Sequence, residues 1–174
     1  MTKQLLPDDI DELAARVVAE NEAAGRKIAL AESCTGGLVA AAITEIAGSS
    51  SVLDRGFVTY SNEAKMESLG VSQDIIETFG AVSIACVWAM ATGALRNSNA
   101  DVAVAISGVA GPGGGTQLKP VGTVVFARAY RNQDGEPEGE LKHFDGQGDA
   151  VNGLSERASI RRQATLCALE LLLP

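Results

Sequence analysis

Residues 102–106, Val-Ala-Val-Ala-Ile, form an apolar run that empties directly into the loop Ser107-Gly108-Val109-Ala110-Gly111-Pro112-Gly113-Gly114-Gly115-Thr116. A short apolar run bounded by glycine reads as a strand. Residues 27–31 and 57–60 repeat the theme, and helical patterns lie between them. Pro7-Asp8-Asp9 opens a helix whose Ile10, Leu13, Ala14, Val17 and Val18 fall at helical spacing, and Gly25 stops it. Residues 37–47 read as an alanine-rich helix closed by Gly48. Asn62 can cap a helix over 63–69 that ends at Gly70, Ser72 one over 73–79 that ends at Gly80, and Ser83 a longer one from 84 to about 96. Residues 123–130 and 140–144 read as strands paired antiparallel across the polar turn 132–135. Ser155 starts a last helix with Ile160, Ala164, Cys167, Ala168, Leu171 and Leu172 on one stripe. Alternating strands and helices imply an α/β sandwich. Its mixed, mostly parallel sheet is flanked by helices and extended by an antiparallel edge hairpin. With 174 residues and no linker, residues 1–174 are expected to form a single domain. The glycine-rich segment 146–153 is the least regular part.

Composition narrows the class. Hydrophobic residues make up 46% and aromatic residues only 4%, so the core is expected to be built from Ala, Val, Ile and Leu. A net charge of -8 argues against a nucleic-acid surface, though not against a local basic pocket for a small anion. No run approaches the ~18 apolar residues of a membrane span, so no membrane partner is expected. Met1-Thr2-Lys3-Gln4 runs at once into acidic residues and has no secretion-signal pattern. Cys34, Cys86 and Cys167 are scattered, odd in number and without metal-site spacing. Reduced thiols, a cytoplasmic location and no metal are the expectations.

In α/β sheets, sites gather where strands end and helices begin. That rule singles out residues 32–37, Glu-Ser-Cys-Thr-Gly-Gly, and residues 107–116. At 32–37, Ser33 or Thr35 can simply cap the next helix. Alternatively, Ser33 is a nucleophile beside unpaired amides that can stabilise an oxyanion. The stretch is not a G-x-S-x-G elbow, since Ala31 and Thr35 stand where glycines belong. A nucleophilic serine needs a base. His143, the only histidine, lies in the alternating run 141–144 of an edge strand and is a poor candidate. A lysine made neutral by burial is the other solution. Lys65 lies just past a predicted strand, and if that strand pairs with 28–31, Tyr60 and Lys65 come near Ser33. An exposed helix lysine is the plainer reading. Cys34 is a rival nucleophile whose pKa a helix start would lower. The 107–116 loop can wrap an anion with its amides. It is not a Walker A loop, because Gly114 stands where lysine is required, nor a dinucleotide fingerprint, because a strand follows. Arg157, Arg161 and Arg162 open the last helix, where cations oppose the dipole, so they are surface residues or anion ligands.

Five ordered stretches, AESCTGG at 31–37, GFVTYSNEAK at 56–65, GAVS at 80–83, AISGVAGPGGGT at 105–116 and KPVGTV at 119–124, together resemble the C-terminal domain of the CinA competence/damage-inducible family. The similarity runs from about residue 10 to the end. With one helix ahead of the first motif, the chain resembles the stand-alone members, which are nicotinamide-nucleotide amidohydrolases. It is expected to lack the molybdopterin-cofactor-binding-like domain of the longer members. The resemblance implies hydrolysis of nicotinamide mononucleotide to nicotinate mononucleotide and ammonia, in pyridine-nucleotide recycling, with no cofactor. It further implies Ser33 as nucleophile, Lys65 as general base and Tyr60 as an orienting or relaying group. Thr35, Gly36 and Gly37 would supply oxyanion amides. Asn62, Ser107, Gly108, Gly111, Arg157 and Arg161 would hold the nucleotide. Where the family reads Gly-Asp-Arg-x-x-Val-Arg, this chain reads Ser155-Glu156-Arg157-Ala158-Ser159-Ile160-Arg161, keeping both arginines but not Gly-Asp. Family members are homo-oligomers, so a homo-oligomer is implied here. A catalytically idle nucleotide-binding regulatory module is the alternative.

Overall fold

The computed structural model describes residues 5–147 and 153–174. Its sheet comprises β1 (Ile28–Glu32), β2 (Leu53–Val58), β3 (Val102–Gly108), β4 (Thr123–Tyr130) and β5 (Glu138–His143), in the order β2-β1-β3-β4-β5. β1 lies parallel to both β2 and β3, β4 is antiparallel to β3, and β5 is antiparallel to β4. β5 thus returns to the common direction, and β4 alone opposes it. The helices are α1 (Asp8–Ala23), α2 (Leu38–Glu45), α3 (Asn62–Leu69), α4 (Gln73–Phe79), α5 (Ile84–Arg96) and α6 (Glu156–Leu171).

Strand residues alternate between faces, and here the two faces differ in bulk. Ile28 and Leu30 of β1, Val102, Val104 and Ile106 of β3, and Val124 and Phe126 of β4 pack under α1, α2 and α6. The opposite face is mostly alanine: Ala29, Ala31, Ala103, Ala105, Ala127 and Ala129, with Val125. Over it lies α5 with Cys86, Val87, Met90, Ala91 and Ala94, joined by Leu69 of α3. Small residues bring α5 close to the sheet. α3 is close to α5 in turn: a side chain at Gly93 would run into the Leu69 backbone, Arg96 donates to the Leu69 carbonyl at 3.0 Å, and Asn97 donates to the Ser68 carbonyl at 2.8 Å.

β1 has its two chain-successive parallel partners on opposite sides, so the connections leaving it and β3 diverge and open a crevice at their carboxyl ends. The ladder runs to the strand tips. Glu32 pairs with both Val58 and Ile106; beyond it, the Ser33 amide donates to the Ile106 carbonyl and the Thr59 amide to the Glu32 carbonyl, both at 2.9 Å. Ser33, Thr59 and Ser107 therefore stand level at the sheet's edge.

Some boundaries differ from those expected from sequence. β2 spans Leu53–Val58 rather than residues 57–60; its exposed Arg55 and Gly56 gave no apolar signal, and Thr59 and Tyr60 lie past its end. Ser61, not Asn62, caps α3, its side chain accepting from the Ala64 amide. Of the glycine-rich segment 146–153, residues 148–152 lie outside the described residues. No described helix is long and apolar enough to cross a membrane.

Candidate active site

The turn after β1 is organised by a residue the sequence reading passed over. Glu32, 1% exposed, folds its carboxylate back over the start of α2. One oxygen accepts from the Thr35 hydroxyl at 2.6 Å, the Gly37 amide at 3.0 Å and the Val39 amide at 3.2 Å; the other accepts from the Ala40 amide at 2.9 Å. α2 opens at Gly37 (φ 96°) with no cap from its own N-cap side chain. The carboxylate takes that place and sits at the positive end of the helix. Neither Ser33 nor Thr35 is the cap. Burying a carboxylate is costly, and charge-assisted bonds of about 1.5–3 kcal/mol each offset that cost here.

Relieved of capping, Ser33 faces α3. The Lys65 Nζ lies 3.0 Å from the Ser33 Oγ and donates to the Thr59 carbonyl at 2.8 Å. Lys65 is 1% exposed and Ser33 8%. No carboxylate pairs with this amine among the described residues. Burial pulls the Lys65 pKa below the ordinary lysine value, the nearby Cys86 and Cys34 thiols opposing it. A depressed amine 3.0 Å from a hydroxyl, with one N–H anchored on a carbonyl, can take the hydroxyl's proton. Cys34 has the opposite tuning. Burial pushes its thiol up to about 11, so it is protonated at neutral pH and unsuited to be the nucleophile.

Ser33 and Lys65 form the floor of a cavity of about 230 Å³ that also exposes Tyr60, Asn62, Ser107, Gly108 and Arg157. Arg157 bridges its mouth, donating to the Gly111 carbonyl at 2.7 Å and the Tyr60 hydroxyl at 2.9 Å. Tyr60, 60% exposed, is thus a rim residue bonded to Arg157, with no hydrogen bond to Ser33 or Lys65. Gly108 needs to be glycine: a Cβ would meet the Thr123 carbonyl at 2.9 Å and the Cys34 sulfur at 3.1 Å. The other expected residues are engaged in the turn. The Gly36 amide donates to the Ser33 carbonyl at 2.9 Å, and the Gly37 amide to Glu32. Arg161 donates to the Cys34 and Thr35 carbonyls, both at 3.1 Å. Arg162 pairs with Asp9 of α1, away from the cavity.

Two larger concavities lack this chemistry. In one, of about 320 Å³, Arg131 and Arg96 bond backbone carbonyls and Arg128 pairs with Glu138. The other, of about 390 Å³, is a shallow apolar trough around Trp88. Neither brings a nucleophile to a base. Among the described residues no group of His, Cys, Asp or Glu is arranged to hold a metal ion.

The same arrangement of chain recurs in known proteins. The CinA C-terminal domain matches residues 10–174. A protein of Escherichia coli (strain K12) named nicotinamide-nucleotide amidohydrolase PncC is 48% identical over 164 residues, 94% of this chain and 93% of that one. Its namesake in Enterobacter agglomerans is 51% identical over 142 residues, 82% of this chain and 85% of that one. The crystal structure of the competence/damage inducible protein CihA from Agrobacterium tumefaciens superposes with a TM-score of 0.87 at 48% identity, covering 98% of this chain and 97% of that one. Matched from α1 to its last residue and alike in fold and sequence, the chain belongs to the CinA C-terminal domain family.

Proposed function

We propose that the chain hydrolyses the carboxamide of nicotinamide mononucleotide to nicotinate mononucleotide and ammonia, returning pyridine nucleotide to use, with Ser33 as nucleophile and Lys65 as general base. The observation that carries the reading is the buried, unpaired Lys65 amine 3.0 Å from the Ser33 hydroxyl. The names of close relatives supply the substrate. In the neutral amine, one N–H stays on the Thr59 carbonyl and the lone pair is free for Ser33. As the Ser33 Oγ attacks the carboxamide carbon, its proton passes to the Lys65 Nζ. The oxyanion that forms is met by the amide of Cys34, which lines the cavity beside Ser33 and whose N–H has no carbonyl or carboxylate acceptor among the described residues. Collapse breaks the C–N bond, and Lys65 gives its proton to the departing nitrogen, releasing ammonia. Water then attacks the acyl-serine. Lys65 takes the water's proton and returns it to the Ser33 Oγ, leaving the carboxylate product. Arg157 meets the phosphate at the mouth with Tyr60 beside it, and Asn62 and Ser107 offer polar contacts to the ribose. On this reading the whole cycle lies within one domain, residues 1–174, of which the family match covers residues 10–174.

Incubating the purified protein with nicotinamide mononucleotide, and following ammonia and product mass, tests the reading. The wild type is expected to release one ammonia per nicotinate mononucleotide, and Ser33→Ala is expected to release none while melting as the wild type does. Thermal stabilisation by the nucleotide with no ammonia released would instead mark an idle binding module.

A further inference from the structure

We infer that Arg161 and Glu32 are positioning residues that clamp the nucleophile turn from its two ends, so that Ser33 and the Cys34 amide beside it are placed before substrate arrives. This rests on the acyl-transfer reading above. In a trans peptide the carbonyl and the following N–H point opposite ways, and among the described residues the only cis bond is Gly111-Pro112. Arg161 Nε holds the Cys34 carbonyl, so the Thr35 N–H of that peptide plane points away from the guanidinium. The Gly36 amide holds the Ser33 carbonyl, which turns the Cys34 N–H away from Gly36 in the same manner. Arg161 Nη2 fixes the next carbonyl, Thr35. At the other end Glu32 gathers the Thr35 hydroxyl and the Gly37, Val39 and Ala40 amides, so the turn cannot rotate these toward a substrate.

The Cys34–Thr35 and Thr35–Gly36 peptide planes are thus pinned by a cation on their carbonyls, while an anion holds the Thr35 hydroxyl and the first amides of α2. The amide left over beside Ser33 is that of Cys34, a residue of the cavity lining. Arg161 is not among the residues lining the cavity, whereas Arg157 is. Two of the three arginines of the last helix therefore divide the work: Arg157 faces the ligand, and Arg161 the turn behind the nucleophile.

The test compares Arg161→Gln and Arg161→Lys with wild type on nicotinamide mononucleotide and on nicotinamide riboside, which has no phosphate. It also follows the rate at which a fluorophosphonate labels Ser33, read by intact mass. A donor that acts on the transition state is expected to lower kcat by roughly 10²-fold while leaving KM nearly unchanged. The loss should be the same on both substrates, smaller for Arg161→Lys, and matched by slower phosphonylation. Glu32→Gln should show the same kcat-dominated signature. A raised KM with normal kcat, on the phosphorylated substrate alone, would overturn the inference and make Arg161 a phosphate ligand; wild-type labelling of Arg161→Gln, or no labelling of wild type, would overturn it too. Should the wild type label but leave nicotinamide mononucleotide intact, the substrate assignment fails while slowed labelling in the Arg161 variants still supports the clamp.

Discussion

Replacing Lys65 with methionine separates the chemistry of this position from its packing. Methionine is unbranched and of similar length, so it refills a site that is 1% exposed, yet it holds no proton. Desolvation keeps the folded-state pKa of Lys65 below its ordinary value, while the unfolded chain titrates near 10.4. Between those two values the unfolded state binds more protons, so wild-type stability rises with pH there by up to about 1.4 kcal/mol per pH unit. The burden of the buried cation is fully present below the folded value and gone above the unfolded one. Lys65→Met has no such slope. The variant leaves the Thr59 carbonyl, now bonded at 2.8 Å, without its donor, a pH-independent cost of about 1–3 kcal/mol. The stability of the variant relative to wild type should therefore be greatest near neutrality and decline toward about pH 10.4. Urea melts at stepped pH measure this; the buried cysteines titrate in both proteins and largely cancel in the difference. Parallel curves from about pH 7 to about pH 10 would refute the claim that burial lowers the Lys65 pKa. The same titration governs rate: turnover should rise with pH through the lowered Lys65 value, and Lys65→Met should lose roughly 10²–10⁴-fold.

Cys34→Ala should keep turnover close to wild type, because a thiol pushed up to about 11 is not the nucleophile; loss of activity in a folded variant, seen in the ammonia assay, would reopen a cysteine mechanism. Gly93→Ala places a methyl against the Leu69 backbone, and overpacking of this kind should cost roughly 1–3 kcal/mol by urea melt. It should also slow turnover, since α3 carries Lys65; unchanged stability would mean that α3 and α5 are free to part.

Much of this was legible in the sequence because its parts obey local rules. Apolar runs bounded by glycine marked β1 and β3, serines at 72, 83 and 155 capped helices as expected, and the polar turn at 132–135 joined an antiparallel pair. The approach of Lys65 to Ser33 was inferred from one pairing, β2 beside β1, which the register bears out. Glu32 was missed because a lone acid at the end of an apolar run looks like a strand terminus. The available signal was a helix opening on Gly36-Gly37 without a capping side chain of its own, which demands an acceptor from elsewhere. Arg161 was read as an anion ligand because charge is visible in sequence, while the carbonyls it bonds belong to a turn 126 residues away or more. Which of two neighbouring arginines faces a cavity is decided by tertiary placement, and no spacing rule encodes that.

The unequal faces of the sheet have a consequence for redesign. On the side of Ile28, Leu30 and Phe126, bulky side chains can be exchanged for others of like volume provided that α2 and α6, which hold the turn after β1, keep their places. On the alanine side, thickness bears on the proposed chemistry: Ala29, Ala103 and Ala105 lie under α5, and α5 packs against the α3 that carries the Lys65 amine. One added methyl there works like a shim under a hinge, opening the gap between two groups it never touches.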